Sequence, residues 1–159
     1  MNEFKGQSVI LLSGGPHSAY AALCAARSEP GPLLGVFMAH KQPDGAAQES
    51  SVIYVATRLG IETMTLHAEF PDPVNPEGRN ELLVRGAFAR GADSVWMGLR
   101  HTFPFFDRNG DSNLMWLRRL MGEFPGKDVR APAAYVPSGT IRRTLAVHGI
   151  FTARLHVTR

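Results

Sequence analysis

Ser8-Val9-Ile10-Leu11-Leu12-Ser13-Gly14-Gly15-Pro16-His17-Ser18, continued by Ala19-Tyr20-Ala21-Ala22-Leu23, is the stretch that decides how this chain is read. A short apolar run from Ser8 to Leu12 reads as a buried strand, and Ser18 to about Arg27 reads as a helix. Between them two adjacent glycines, neither with a Cβ, let the backbone bend tightly and present its N–H groups. The helix start adds unpaired donors and the positive end of a dipole, a ready place for an anion such as phosphate. The pattern is not a Walker loop, because no Gly-Lys-Ser/Thr follows the glycines. An ordinary strand-to-helix turn uses the same residues, and that reading stays open beside the phosphate one.

Outward from this turn the same alternation repeats. Leu33-Leu34-Gly35-Val36-Phe37-Met38 predicts a second strand, followed by a polar loop from His40 to Gly45 and a helix over Ala46 to Leu59, ended by Gly60. Ile61 to His67 predicts a third strand. A proline-rich crossing, Phe70 to Pro76, precedes a helix over Asn80 to Arg90 that stops at Gly91. Ser94 to Gly98 predicts a fourth strand, Arg100 to Gly110 an aromatic loop, and Ser112 to Met121 and Ser138 to Gly149 two further helices. Phe151 to Val157 reads as a short last strand or a docked tail.

Strands alternating with helices imply an α/β fold, a parallel sheet with helices on both faces. With 159 residues, residues 1–159 are expected to form a single domain with a true core. In such sheets ligands bind beyond the carboxyl ends of the strands, where the strand order reverses. Three loops qualify: Ser13–Ser18, His40–Asp44 and Arg100–Asp111.

Composition excludes several classes. Hydrophobic residues make up 44% and charged residues 19%, the balance of a globular chain rather than a disordered one. The net charge of +3 permits contact with nucleic acid without requiring it. Cys24, the single cysteine, rules out an internal disulfide and a cysteine zinc cage, and its alanine-rich helix suits an inert thiol. No signal peptide or membrane-length apolar run is visible, so the expected location is cytoplasmic, with no membrane partner.

Ser13, Gly14, Gly15 and Ser18 resemble the Ser-Gly-Gly-x-Asp-Ser loop of the N-type ATP pyrophosphatases, the PP-loop superfamily. Asn75-Pro76-Glu77-Gly78-Arg79-Asn80, then Gly91-Ala92-Asp93 and the strand to Gly98, resemble one branch of it, 7-cyano-7-deazaguanine synthase. Phe105-Phe106-Asp107-Arg108-Asn109-Gly110-Asp111-Ser112 stands where that branch carries its substrate loop. Ala131 to Arg143 is similar to its Pro-Leu-x-x-Leu-Ser-Lys-x-Glu-Ile segment. Read without the resemblance, Arg79 offers a fork of donors for phosphate, Asn80 can cap a helix, and Asp111-Ser112 is equally well a helix cap beside core aromatics.

The resemblance implies a Rossmann-like, adenine nucleotide alpha hydrolase-like fold and ATP as cosubstrate, with magnesium as an admissible companion and no structural zinc. It implies an ATP-dependent C–N ligase of deazapurine, queuosine-type biosynthesis, acting on a small deazapurine-like substrate. The cofactor-binding residues would be Ser13, Gly14, Gly15, Ser18, Gly78 and Arg79, the catalytic ones Ser13, His17, Ser18 and Arg79. The substrate would meet Asn80, Phe105, Phe106 and Asp111. The aromatic loop with Phe103 also suits a subunit contact, compatible with a homodimer. Three departures stand against full activity: His17 replaces the loop aspartate, Ser138 the lysine of the later segment, and Ala153-Arg154-Leu155-His156-Val157 the zinc cysteines. They keep two alternatives alive, a nucleotide- or deazapurine-binding protein that lost turnover and a structural or interaction protein on the same scaffold.

Overall fold

Val9, Ile10, Leu11 and Leu12 are all nearly inaccessible to solvent, which only a strand covered on both faces allows. They form the middle of β1 (Ser8–Leu12), and α1 (Pro16–Ser28) follows at once. The remaining elements are β2 (Leu33–Ala39), α2 (Gly45–Leu59), β3 (Glu62–His67), α3 (Pro76–Ala89) and β4 (Ser94–Met97), then α4 (Met115–Glu123), β5 (Asp128–Arg130) and α5 (Ser138–Val147). A 3₁₀ turn at Thr152–Arg154 comes last. This computed structural model describes residues 3–29, 31–40, 42–67, 76–99 and 115–156, with 76–79 described through their backbone alone.

The strands make one parallel five-stranded sheet in the order β3-β2-β1-β4-β5. The chain moves outward from β1 to β3, then returns to the other side of β1 with β4. β1 is therefore the switch strand, and a crevice beyond its carboxyl end is the expected consequence. Alternate β1 side chains feed two cores. Ile10 and Leu12 join Ala19, Ala22 and Leu23 of α1, Val52 and Val55 of α2, and Ile141 and Leu145 of α5. Val9 and Leu11 join Val84 and Phe88 of α3 and Trp116 and Leu120 of α4. Helices thus cover both faces, as the alternation predicts.

Several boundaries differ from the sequence reading. α1 begins at Pro16 rather than Ser18, because proline's fixed φ and missing N–H suit the first helical position. α3 begins at Pro76 for the same reason, so Gly78, Arg79 and Asn80 lie inside the helix, and Asn80 is not its cap. β5 was not foreseen. The segment Phe151 to Val157 is not a strand: its described part is the 3₁₀ turn and a tail docked on the loop after β1. The expected aromatic loop lies outside the described residues, and with it Phe103, Phe105, Phe106 and Asp111.

Candidate functional site

The loop after β1 is organised around one buried hydroxyl. Ser18 Oγ accepts the Ser13 backbone N–H and the Ser13 hydroxyl, each at 3.1 Å, and donates to the Gly15 carbonyl at 3.1 Å. The Gly15 N–H reaches Ser13 Oγ at 3.4 Å. Ser18 is 4% exposed, so the hub of the network is shielded, and it fixes the bend ahead of α1. Gly15 is the N-cap residue, and no side chain caps the helix, so the first-turn donors are left to the backbone, solvent or a ligand.

The two glycines have different roles from those the sequence suggested. Gly14 has φ of 87°, and a Cβ there would meet the Gln48 carbonyl at 2.7 Å. It is buried against the first turn of α2, and its carbonyl accepts the His156 N–H at 2.9 Å. Gly14 therefore shapes and anchors the loop. Ser13 and Ser18 are the loop residues that line the crevice beside it.

That crevice has a volume of about 380 Å³, within the range of small-molecule sites, and lies beyond the carboxyl ends of β1, β2 and β4. Its apolar wall includes Val36, Phe37, Met38 and Met97, and its polar rim includes Ser13, Ser18, Gln42, Asp44 and Asn80. Gly98 closes the β4 side: a Cβ on it would lie 2.2 Å from the Ser18 amide nitrogen. Gln42 folds the loop after β2. Its Oε1 accepts the His40 N–H at 2.7 Å, and its Nε2 donates to Gln48 Oε1 at 2.8 Å.

Asp44 and the tail complete the rim. Asp44 is the N-cap residue of α2, yet its carboxylate makes no capping bond. Oδ2 instead lies 2.5 Å from His156 Nε2. The tail reaching this point is tied down along α2. Tyr54 Oη accepts the Phe151 N–H at 3.0 Å, the Arg154 guanidinium lies 4.8 Å from the Tyr54 ring centre, and Leu155 is buried.

Of the residues expected from sequence, the structure brings Ser13, Ser18 and Asn80 to the crevice, with Gly14 and Gly15 shaping the bend. His17 is half-buried in the first turn of α1. Gly78 and Arg79 lie on the backbone of α3, and Phe105, Phe106 and Asp111 lie outside the described residues. Sequence reasoning placed Gln42 only within the His40–Asp44 loop and missed Gln48, Gly98 and His156 as contributors. A glycine closing a strand is a recognised mark of close backbone approach. Nothing in the sequence marks Gln48 or His156. Among the described residues no group of three or more His, Cys, Asp or Glu stands together to hold a metal. None of the helices is long and apolar enough to cross a membrane, among those same residues.

No family model and no curated protein matches the sequence. Solved structures do match in fold. The U34-tRNA thiolase NcsA of Methanococcus maripaludis, solved with its 4Fe-4S cluster, gives a TM-score of 0.60 at 15% identity, covering 92% of this chain. The chain spans 58% of the length of that thiolase. A predicted subunit of tRNA methyltransferase from Methanocaldococcus jannaschii gives 0.60 at 13% identity, covering 97% of this chain and 93% of its own. The NH3-dependent NAD synthetase of Campylobacter jejuni subsp. jejuni, in complex with a nitrate ion, gives 0.55 at 13% identity, covering 98% and 71%. At such identities the likeness carries the fold, a parallel α/β sheet with helices on both faces, and no more.

Proposed function

We propose that this protein is a PP-loop enzyme that binds ATP with its phosphates against the Ser13–Ser18 bend and activates an acceptor by adenylyl transfer. One observation carries the reading: a hydroxyl-braced bend and an uncapped helix start open together, through Ser13 and Ser18, onto a crevice at the switch point of the sheet. The uncapped first-turn amides are donors fixed before ligand arrives, so little reorganisation opposes their binding a polyanion. The apolar wall of Val36, Phe37 and Met38 suits the flat face of a base.

The acceptor best supported by the sequence resemblance is the carboxylate of 7-carboxy-7-deazaguanine. A carboxylate oxygen attacks the α-phosphorus, the bond to the bridging oxygen breaks, and pyrophosphate leaves toward the loop. Ammonia then displaces AMP to give the amide, and a second ATP-dependent round gives the nitrile. The chain's part is to hold the two reactants in line and to donate to the oxygens of the departing pyrophosphate. A magnesium ion, when bound, screens the charge of the triphosphate. The fold neighbours, a U34-tRNA thiolase, a predicted subunit of tRNA methyltransferase and an NH3-dependent NAD synthetase, support a nucleotide-bearing substrate more broadly.

The test is to incubate the protein with ATP, magnesium, 7-carboxy-7-deazaguanine and ammonia and to measure AMP and pyrophosphate. Release of both with formation of amide or nitrile is the expected result. Saturable ATP binding without AMP favours the second reading, a binding protein without turnover, for which His17 and Ser138 in place of Asp and Lys are the specific observation. Neither binding nor release leaves only a scaffold.

A further inference from the structure

We propose that Asp44, steadied by His156, is the carboxylate toward which the magnesium of Mg·ATP is directed, standing in for the loop aspartate whose place His17 takes. This rests on the reading that the Ser13–Ser18 bend receives a triphosphate. Magnesium favours oxygen ligands, keeps several waters, and is commonly held by one or two carboxylates together with substrate phosphates. Among the described residues there is no cluster of three or more acidic, histidine or cysteine groups. A single carboxylate shared with phosphates fits what is present. Asp44 is the one carboxylate among the described residues lining the crevice.

The local geometry suits that task. An aspartate at a helix N-cap ordinarily accepts an N–H from the first turn, and Asp44 forgoes that bond. Its carboxylate, 44% exposed, is available to a hydrated ion and lies within ion-pair distance of His156 Nε2, a buried nitrogen with no hydrogen-bond partner of its own. A carboxylate accepts several bonds at once, so the histidine contact leaves acceptor capacity toward the crevice. Partners of this kind commonly orient ligating side chains. The His156 side chain is 13% exposed and its N–H is bonded to the Gly14 carbonyl. One residue thus couples the carboxylate to the phosphate-binding bend, a positioning role rather than a catalytic one.

The experiment is a calorimetric ATP titration in magnesium and again in EDTA, with the EPR signal of manganese recorded in the presence of ATP. For the unaltered protein, magnesium should tighten ATP binding about tenfold. Asp44→Asn should bring the two affinities within about twofold and abolish the ATP-dependent change in the manganese signal, without weakening binding in EDTA. Asp44→Glu, which keeps the charge, should restore part of the difference, and His156→Gln should lose part of it. Melting curves of all three variants show whether the fold is kept. Full magnesium dependence in Asp44→Asn, or none in the unaltered protein that still binds ATP, overturns the proposal and leaves the glycine-loop reading standing. No ATP binding in the unaltered protein overturns both.

Discussion

Gly98 and Ser18 meet backbone to backbone where β4 ends under the first turn of α1: a Cβ on Gly98 would lie 2.2 Å from the Ser18 nitrogen and 2.6 Å from its Cα. The switch strand's neighbour and the helix that carries the bend are thereby held at a spacing only glycine permits. Gly98→Ala cannot be relieved by turning a flexible side chain, since the three nearest atoms are all backbone. The helix start must shift, at a cost of about 3 kcal/mol. We expect a lower melting temperature together with weakened ATP binding, both read on the purified variant. A variant that melts and binds as the original does would show that the contact relaxes freely.

Gly14 and Gly60 separate the two reasons for glycine. Both have positive φ, 87° and 68°. A Cβ on Gly14 would strike the Gln48 carbonyl, whereas nothing lies within 4 Å of one on Gly60. Gly60→Ala should cost about 1 kcal/mol, the left-handed backbone term alone. Gly14→Ala should cost about 3 kcal/mol because overpacking adds to it. Chemical denaturation of the pair measures the difference, and equal losses would remove the packing argument.

Ser18→Ala deletes the hub that accepts two donors from Ser13 and donates to Gly15. The deletion leaves the Ser13 donors to solvent and the Gly15 carbonyl to the Ala19 N–H alone, at about 1 kcal/mol. ATP affinity should fall about tenfold, since the bend loses its brace as well as a donor. Ser13→Ala, on the exposed side of the same network, should cost less stability while still weakening ATP.

How much of this was legible beforehand depended on whether one residue could announce its own role. Val9 to Leu12, an unbroken apolar run before two glycines, dictated a covered strand and a bend, and both are present. Pro71, Pro73 and Pro76 together read as a break, but Pro76 is also a good first helical residue, and that use prevailed. The consequence reached the site: Gly78, Arg79 and Asn80 became helix rather than loop. Asp128-Val129-Arg130 is too short and too charged to show any period, so β5 exists only because β4 offers it a free edge. His156 could not be foreseen at all. Its place is fixed by Leu155 in the core and Tyr54 on α2, contacts made across about a hundred residues of sequence.

The far side of the sheet carries a pH-sensitive tie. The Arg85 guanidinium, on α3, bonds both oxygens of Glu123, on α4, at 2.5 and 3.0 Å. This bonding holds the Glu123 carboxyl below its ordinary range, while Arg85 is raised by the same partner. A carboxyl depressed in the folded state adds stability that is present above its unfolded pKa and lost as pH falls through the folded value. The pair is exposed, so the effect is small. We expect the melting temperature of the original to fall slightly more than that of Glu123→Gln between about pH 5 and pH 3. Parallel curves would show that the tie contributes nothing.

His17→Asp returns a carboxylate to the first turn of α1, where the resembled loop carries one. A negative charge near a helix start is favoured by the dipole, so the variant should fold at least as stably. With magnesium present it should bind ATP about fivefold more tightly, a modest coupling between cation and nucleotide. In EDTA it should bind more weakly, because an uncompensated carboxylate then faces phosphate. The decisive background is Asp44→Asn: if Asp44 has assumed the work of the missing aspartate, His17→Asp should restore there the magnesium dependence that Asp44→Asn removes. Restoration would make the two carboxylates interchangeable occupants of one role. Failure to restore, with ATP still bound, would mean that position 17 no longer faces the phosphates and that the helix start has been given over to another use.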